Sequence, residues 1–276
     1  MNTHGGNRYR GPLNAVIFDW AGTTVDFGCR APAGAFQTLF ERYGVHASIA
    51  QAREPMGMHK RDHIAAMLAM PDLAEQWTLR HGAAPTAADI AALFEAFIPL
   101  QMEALPRFLD VIPGVVETVE AMRARGLKIG ATTGYNDAMM ALCSEAAARE
   151  GYIPDTSVAV TQVPAGRPAP WMAVQAAMNL GVYPFSSIVK IGDTVTDVHE
   201  GLNAGMWTIA VTRTGNEVGL SREEAEATDP SEMARLLERA TAKLAAAGAH
   251  YVVESVADTL PVLDAIGERL ARGEQP

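Results

Sequence analysis

Cysteine is scarce here: 276 residues carry only Cys29 and Cys143. Two thiols without a recurring spacing exclude a disulfide framework and suit a reducing cytoplasm. Positive charge is also short, with 22 Lys and Arg against 32 Asp and Glu, a net charge of −10. Such a chain is repelled by nucleic acid and by anionic membranes, so neither is expected as a partner. A small anionic substrate stays open, because a pocket is governed by its own residues. Long apolar runs are missing as well. Crossing a bilayer takes about 20 consecutive apolar residues, and the run Ala15-Val16-Ile17-Phe18 already stops at Asp19. Met1–Gly11 is polar and Gly-rich, unlike a signal peptide, so a soluble cytoplasmic protein is expected. What remains is ordinary globular composition, 49% apolar and 20% charged, which excludes disorder, collagen-like repeats and coiled coil as the main architecture.

The apolar rhythm divides the chain. Leu13–Phe18 predicts a buried strand ending at the polar segment Asp19-Trp20-Ala21-Gly22-Thr23-Thr24. From Ala31 to Leu105 the pattern is helical, broken at Gly44, Pro55-Met56-Gly57, Pro71, Gly82–Pro85 and Pro99, with no strand. After Pro113-Gly114, helices near 115–125, 137–150 and 170–180 alternate with strands near 127–132, 157–160, 188–191 and 208–212. A further strand is predicted near 250–253. Ser221-Arg222-Glu223-Glu224 reads as a capping box, and Met233–Ala247 as an amphipathic helix. Alternation of this kind predicts an α/β fold: a Rossmann-like parallel sheet covered on both faces, with a small all-helical domain inserted after the first strand. The expected division is a core of residues 1–27 and 106–276 around a helical insert of residues 28–105. Open parallel sheets bind ligands beyond the carboxyl ends of their strands, so the polar segments after strands are where a site is expected.

Asp19 follows the first strand, where a carboxylate serves as nucleophile, hard-cation ligand or helix cap, and the residue alone leaves all three open. Gly192-Asp193-Thr194-Val195-Thr196-Asp197 follows another strand and supplies two more carboxylates. Magnesium takes oxygen ligands, usually one or two carboxylates beside water and phosphate, and two acidic loops on one sheet edge fit that demand. Thr132-Thr133-Gly134 offers hydroxyls and amides to a phosphoryl group, or is a polar strand end before a turn. Arg167, between Gly166 and Pro168, is either an anion-binding fork or a surface arginine. In Pro55–Met67, helical spacing lines up Met56, Lys60, His63 and Met67, while His59, Arg61 and Asp62 point elsewhere. A lysine in an apolar stripe is partly desolvated, which lowers its pKa and makes it nucleophilic; the alternative is a snorkelling surface lysine.

The order of these pieces resembles the haloacid dehalogenase superfamily: a strand ending in Asp with Gly-Thr after it, a strand ending in Thr-Gly, a basic residue before Pro, then Gly-Asp-Thr-x-x-Asp. That resemblance implies a haloacid dehalogenase-like core and a helical cap. One position departs from the superfamily's phosphatases, which usually carry a second Asp two residues after the nucleophile; here it is Ala21. A site without that proton donor suits a leaving group other than an alkoxide, either halide or carbon. Asp-Trp-Ala-Gly-Thr, Met-Gly-x-x-Lys-x-x-His and Thr-Thr-Gly-Tyr together resemble the phosphonoacetaldehyde hydrolase family, over essentially the whole chain including Gly248-Ala249-His250. The resemblance implies carbon–phosphorus cleavage of phosphonoacetaldehyde, in phosphonate degradation, to acetaldehyde and phosphate. It implies Asp19 as nucleophile, Lys60 as Schiff-base residue and His63 in proton movement. It gives Mg2+ to Asp19, the Ala21 carbonyl and Asp193, with Asp197 behind them. Cys29, Met56, Gly57 and Tyr135 fall near the substrate, Thr133 and Arg167 on the phosphoryl group, and a homodimer is implied. The rival readings are a phosphomonoesterase or phosphomutase of the same fold, or a silent phosphometabolite-binding module.

Overall fold

The structure is a computed structural model that describes residues 9–276, so most of the polar Met1–Gly11 stretch lies outside the described residues. The first strand, β1 (Ala15–Asp19), is apolar until its last residue and is buried along its whole length. That continuous run is what a strand covered on both faces requires. Five helices follow as the insert: α1 (Arg30–Arg42), α2 (Ile49–Arg53), α3 (Lys60–Leu68), α4 (Pro71–His81) and α5 (Ala87–Ala104). Capping boxes at Ser48–Gln51 and Thr86–Asp89 fix the starts of α2 and α5 by satisfying amides that the first helical turn leaves free. The helical insert has its own apolar centre, in which Phe36, Leu39, Phe40, Ile64, Met67, Leu73, Trp77, Leu93 and Phe97 are buried against one another.

The chain then alternates through α6 (Val115–Ala124), β2 (Lys128–Thr133), α7 (Asp137–Arg149), β3 (Thr156–Ala159), α8 (Trp171–Leu180) and β4 (Ile188–Gly192). It closes with α9 (Val195–Asn203), β5 (Trp207–Val211), α10 (Arg222–Ala227), α11 (Pro230–Ala246), β6 (Tyr251–Val253) and α12 (Thr259–Ala271). All five strand pairings are parallel, in the order β3-β2-β1-β4-β5-β6. Alternate side chains serve opposite faces: Val16 and Phe18 pack with Ile129, Val189 and residues of α6, α7 and α12, whereas Ala15 and Ile17 pack with Val158, Ile188 and α8. No helix among the described residues is long and apolar enough to cross a membrane.

This order places β1 beside β4 at the point where the chain turns from one half of the sheet to the other, the crevice in which open α/β sheets bind ligands. Asp19, Thr133 and Asp193 sit at or just past the carboxyl ends of β1, β2 and β4, at that crevice. Several boundaries differ from the sequence reading. Val160 lies in a short 3-10 turn, not in β3. The Ser221 box opens the separate helix α10, while Asp229 and Pro230 start α11. Helices α9 and α12 were not foreseen. The largest correction concerns Met56, which is buried but lies in a turn ahead of α3. That helix begins only at Lys60, because Gly57 takes φ +87° and ends the helical path.

Candidate active site

Lys60 is the first residue of α3, and its side chain is buried, 6% exposed. Its Nζ lies 5.5 Å from the centroid of the Phe36 ring, on the helical insert, and 5.6 Å from that of Tyr135, at the sheet edge. No carboxylate of the described residues lies within 4 Å of it. Burial therefore brings its ammonium down to about 8, with Cys29 and Asp19 pulling weakly the other way. Around it a small cavity of about 30 Å³ is lined by Asp19, Ala21, Cys29, Met56, Gly57, Thr133, Tyr135 and Arg167, so the structure brings these sequence-predicted residues together. His63, Asp193 and Asp197 do not line it. His63 sits behind Lys60, stacked on Phe36 at 3.7 Å, with Nε2 donating to the Ala52 carbonyl at 2.9 Å and Nδ1 without a partner. Burial, then the Lys60 charge, hold its pKa well below the ordinary value, so the imidazole is neutral.

Beneath the cavity lies a charge cluster. The Arg167 guanidinium meets three carboxylates, one per nitrogen: Asp19 at 2.6 Å, Asp197 at 3.0 Å and Glu200 at 2.9 Å. Lys190 reaches Asp197 at 3.0 Å and Glu200 at 3.3 Å, and Thr132 Oγ1 joins both cations to Glu200. Arg167 is thus no surface arginine. Asp197 has a second task, since it caps α9 by accepting from the Thr194 hydroxyl at 2.6 Å and the Thr194 amide at 3.2 Å. Sequence reasoning missed Lys190 and Glu200, and it offered Thr132 to a phosphoryl group, whereas the hydroxyl is engaged in the charge cluster. A lysine in the middle of the otherwise apolar strand Ile188–Gly192 was the available signal, because a buried charge demands a partner.

Asp19, Asp193 and Asp197 each offer an oxygen within a 4.8 Å cluster. Asp197 is spent on cations and its cap, whereas Asp193 accepts only from Thr23 Oγ1 at 3.1 Å and the Asn216 amide at 2.7 Å. Burial raises Asp19 to about 6 against the opposing pull of Arg167. Burial and the nearby Asp19 charge push Asp193 well above the usual carboxylate range. Two facing acids with more negative charge than their surroundings neutralise fit a hard divalent cation, for which oxygen donors are the right chemistry.

Residues 13–205 match the family model for haloacid dehalogenase-like hydrolases. A phosphonoacetaldehyde hydrolase of Nitratidesulfovibrio vulgaris is 48% identical, over 97% of this chain and 96% of its own length. This chain is a member of the phosphonoacetaldehyde hydrolase family. Another such hydrolase, from Hahella chejuensis, is 46% identical over 97% of this chain and 91% of its own. The crystal structure of a phosphonoacetaldehyde hydrolase-like protein from Oleispira antarctica superposes with a TM-score of 0.97 at 42% identity, covering all of both chains. Family membership makes the chain a hydrolase of the haloacid dehalogenase-like fold, its helical insert being the cap.

At Gly57 the cap backbone lies against the start of α9 in the core. A Cβ built there would stand 2.0 Å from Thr196 Oγ1 and 2.4 Å from Thr194 Oγ1, on a backbone that side-chain-bearing residues resist. Gly57→Ala is expected to hold the cap off the sheet edge, cutting kcat/KM by about tenfold or more while the fold persists by circular dichroism.

Proposed function

We propose that this protein hydrolyses phosphonoacetaldehyde to acetaldehyde and phosphate, through an imine on Lys60 and an aspartyl-phosphate on Asp19. One observation carries the reading: an amine depressed by burial shares a cavity with the carboxylate that ends β1. In neutral form Lys60 Nζ adds to the aldehyde, and with the uptake of one proton from solvent the carbinol oxygen leaves as water, giving a protonated imine. Asp19 attacks phosphorus in line, and the carbon–phosphorus bonding pair moves onto the carbon as the imine becomes an enamine. The electrons thus have a sink, which is why Ala21 can stand where phosphatases use an acid. Thr133 and Arg167 face the phosphoryl oxygens as their charge develops. Protonation at carbon and addition of water free acetaldehyde and Lys60; a second water cleaves the aspartyl-phosphate. The neutral His63 behind Lys60, with its unpartnered Nδ1, supports a role in passing protons.

Asp19, Asp193 and the Ala21 carbonyl would hold Mg2+, which when bound neutralises these acids and polarises the phosphoryl group. The cap of residues 28–105 carries Lys60 and the remainder carries Asp19, so closure assembles the site. A cavity of about 30 Å³ has room for about two waters, so the cap opens to admit substrate. The reading also takes from the family a homodimer and a reducing cytoplasm, in keeping with two free, buried cysteines. The test is borohydride reduction in the presence of substrate, followed by peptide mass mapping. A single adduct on Lys60 is expected. Label elsewhere, or none, removes the imine and leaves the phosphomonoesterase reading in its place.

A further inference from the structure

A single cap side chain grips the core loop at Asn216 and Gly219 and, with them, the start of the cap at Gly28. Arg53, the last residue of α2, donates from Nη1 to the Gly28 carbonyl at 2.7 Å and from Nη2 to the Gly219 carbonyl at 2.8 Å. It also exchanges two bonds with Asn216: Nη1 donates to Asn216 Oδ1, and Asn216 Nδ2 donates to the Arg53 carbonyl, both at 3.2 Å. The core is shaped to receive it. Gly219 has φ +70°, and a Cβ there would stand 2.8 Å from the guanidinium carbon. Asn216 is buried, and its amide donates to Asp193 Oδ2 at 2.7 Å. Gly28 belongs to the passage from β1 into the cap, and its amide donates to the Thr214 carbonyl at 2.7 Å on the same core loop. Arg53 precedes Lys60 by one short turn of chain, through Pro55-Met56-Gly57.

The geometry points to Arg53 as a closure clasp: a positioning residue that, when the cap seats Lys60, fixes the Asn216 loop and through it the carboxylate of Asp193. The inference rests on the proposed function, which gives Asp193 to the metal, but it makes a separate claim. Cap closure and cation affinity are linked through one guanidinium. A planar fork is needed, because only that shape spans two carbonyls and an amide oxygen at once. The neighbouring Glu54 touches that loop only at one remove and on the exposed side, where it meets Lys243 at 3.3 Å and Lys243 in turn meets Glu217 at 3.0 Å, a solvent-screened pair worth little.

The test compares wild type, Arg53→Met, Asn216→Ala, the double variant and Glu54→Gln, with metal-stripped enzyme titrated with Mn2+ and followed by electron paramagnetic resonance. Arg53→Met is expected to weaken Mn2+ binding about fivefold and to lower kcat/KM more than tenfold, whereas Glu54→Gln does neither. Adding Arg53→Met to Asn216→Ala is expected to weaken Mn2+ binding by less than a further twofold. Unchanged Mn2+ affinity in folded Arg53→Met, or fully additive losses in the double variant, overturns the clasp even if activity falls. Should Arg53→Met fail to fold, Arg53→Lys, which keeps the charge but not the fork, is read by the same criteria. Wild-type enzyme that releases no acetaldehyde would sink the proposed function alone, since the Mn2+ comparison still decides the clasp.

Discussion

Replacing Lys60 by methionine is expected to abolish acetaldehyde release while making the protein more stable. Loss of a covalent nucleophile costs about four orders of magnitude or more, since the remaining groups cannot supply an electron sink. The stability change has the opposite sign because the site holds its amine in an unfavourable place. Burial takes the Lys60 pKa from 10.5 to about 8, so between these values the unfolded chain binds more protons than the folded one. The resulting penalty is complete below about pH 8, fades as pH rises, and is gone above about 10.5. Its size is on the order of 3 kcal/mol, because each tenfold loss of proton affinity is worth about 1.4 kcal/mol. Methionine fills similar space without a charge. Urea unfolding at pH 7 should therefore show the variant more stable by up to about 3 kcal/mol, with the gap closing near pH 10. Equal stabilities at pH 7 would mean that the amine is not desolvated in the folded enzyme.

The lowered pKa also sets a pH dependence for activity. Addition to the aldehyde needs the neutral amine, so kcat/KM for wild type should rise with pH through an inflection near 8, where an ordinary lysine would place it above 10. Lys60→Arg, permanently charged and unable to form an imine, separates this from a purely electrostatic role: a phosphomonoesterase would keep most of its activity in that variant.

Whatever depended on neighbours in sequence was legible before the structure. Asp19 after an apolar run, the Thr-Thr-Gly strand end and Gly-Asp-Thr-x-x-Asp each carry their meaning in a few adjacent residues, and the strand order brings them to one edge. Spacing put Lys60, His63 and Met67 on one stripe and left Lys60 between a desolvated amine and a snorkelling one; all three are buried, and Met56 joins them from a turn and not from the helix. Partners from distant segments were not readable. Glu200 acts on Arg167 from 33 residues away and on Thr132 from 68, and Arg53 reaches Asn216 across 163. None has a local pattern, because a buried ion pair is chosen by three-dimensional proximity alone. Helix α9 was hidden for another reason: its first turn is the acidic motif itself, with Thr194 and Asp197 capping it, so a signal for chemistry masked a signal for helix.

The cluster of Arg167, Lys190, Asp19, Asp197 and Glu200 gives the second large effect. Five buried charges in contact are tolerable only as a set, since each desolvated ion is compensated by its neighbours. Removing one leaves others uncompensated. Lys190→Met strips Asp197 and Glu200 of a cation that they share with Arg167 and is expected to destabilise the fold by about 3–5 kcal/mol. The second substitution should work in reverse. In Lys190→Met/Glu200→Gln the lost positive charge is matched by a lost negative one, and glutamine still accepts from Arg167 Nε. The double variant is therefore expected to recover more than half of the loss, a coupling that denaturant unfolding of all four proteins measures directly. Activity should not recover in parallel. Glu200 holds Nε of Arg167 and so sets the plane of the fork whose Nη2 reaches Asp19 at 2.6 Å; a neutral amide holds that edge more weakly. Stability restored with kcat still depressed would show that the cluster orients the Asp19 carboxylate as well as balancing charge. Additive stability losses would instead mean that Lys190 and Glu200 do not act on one another.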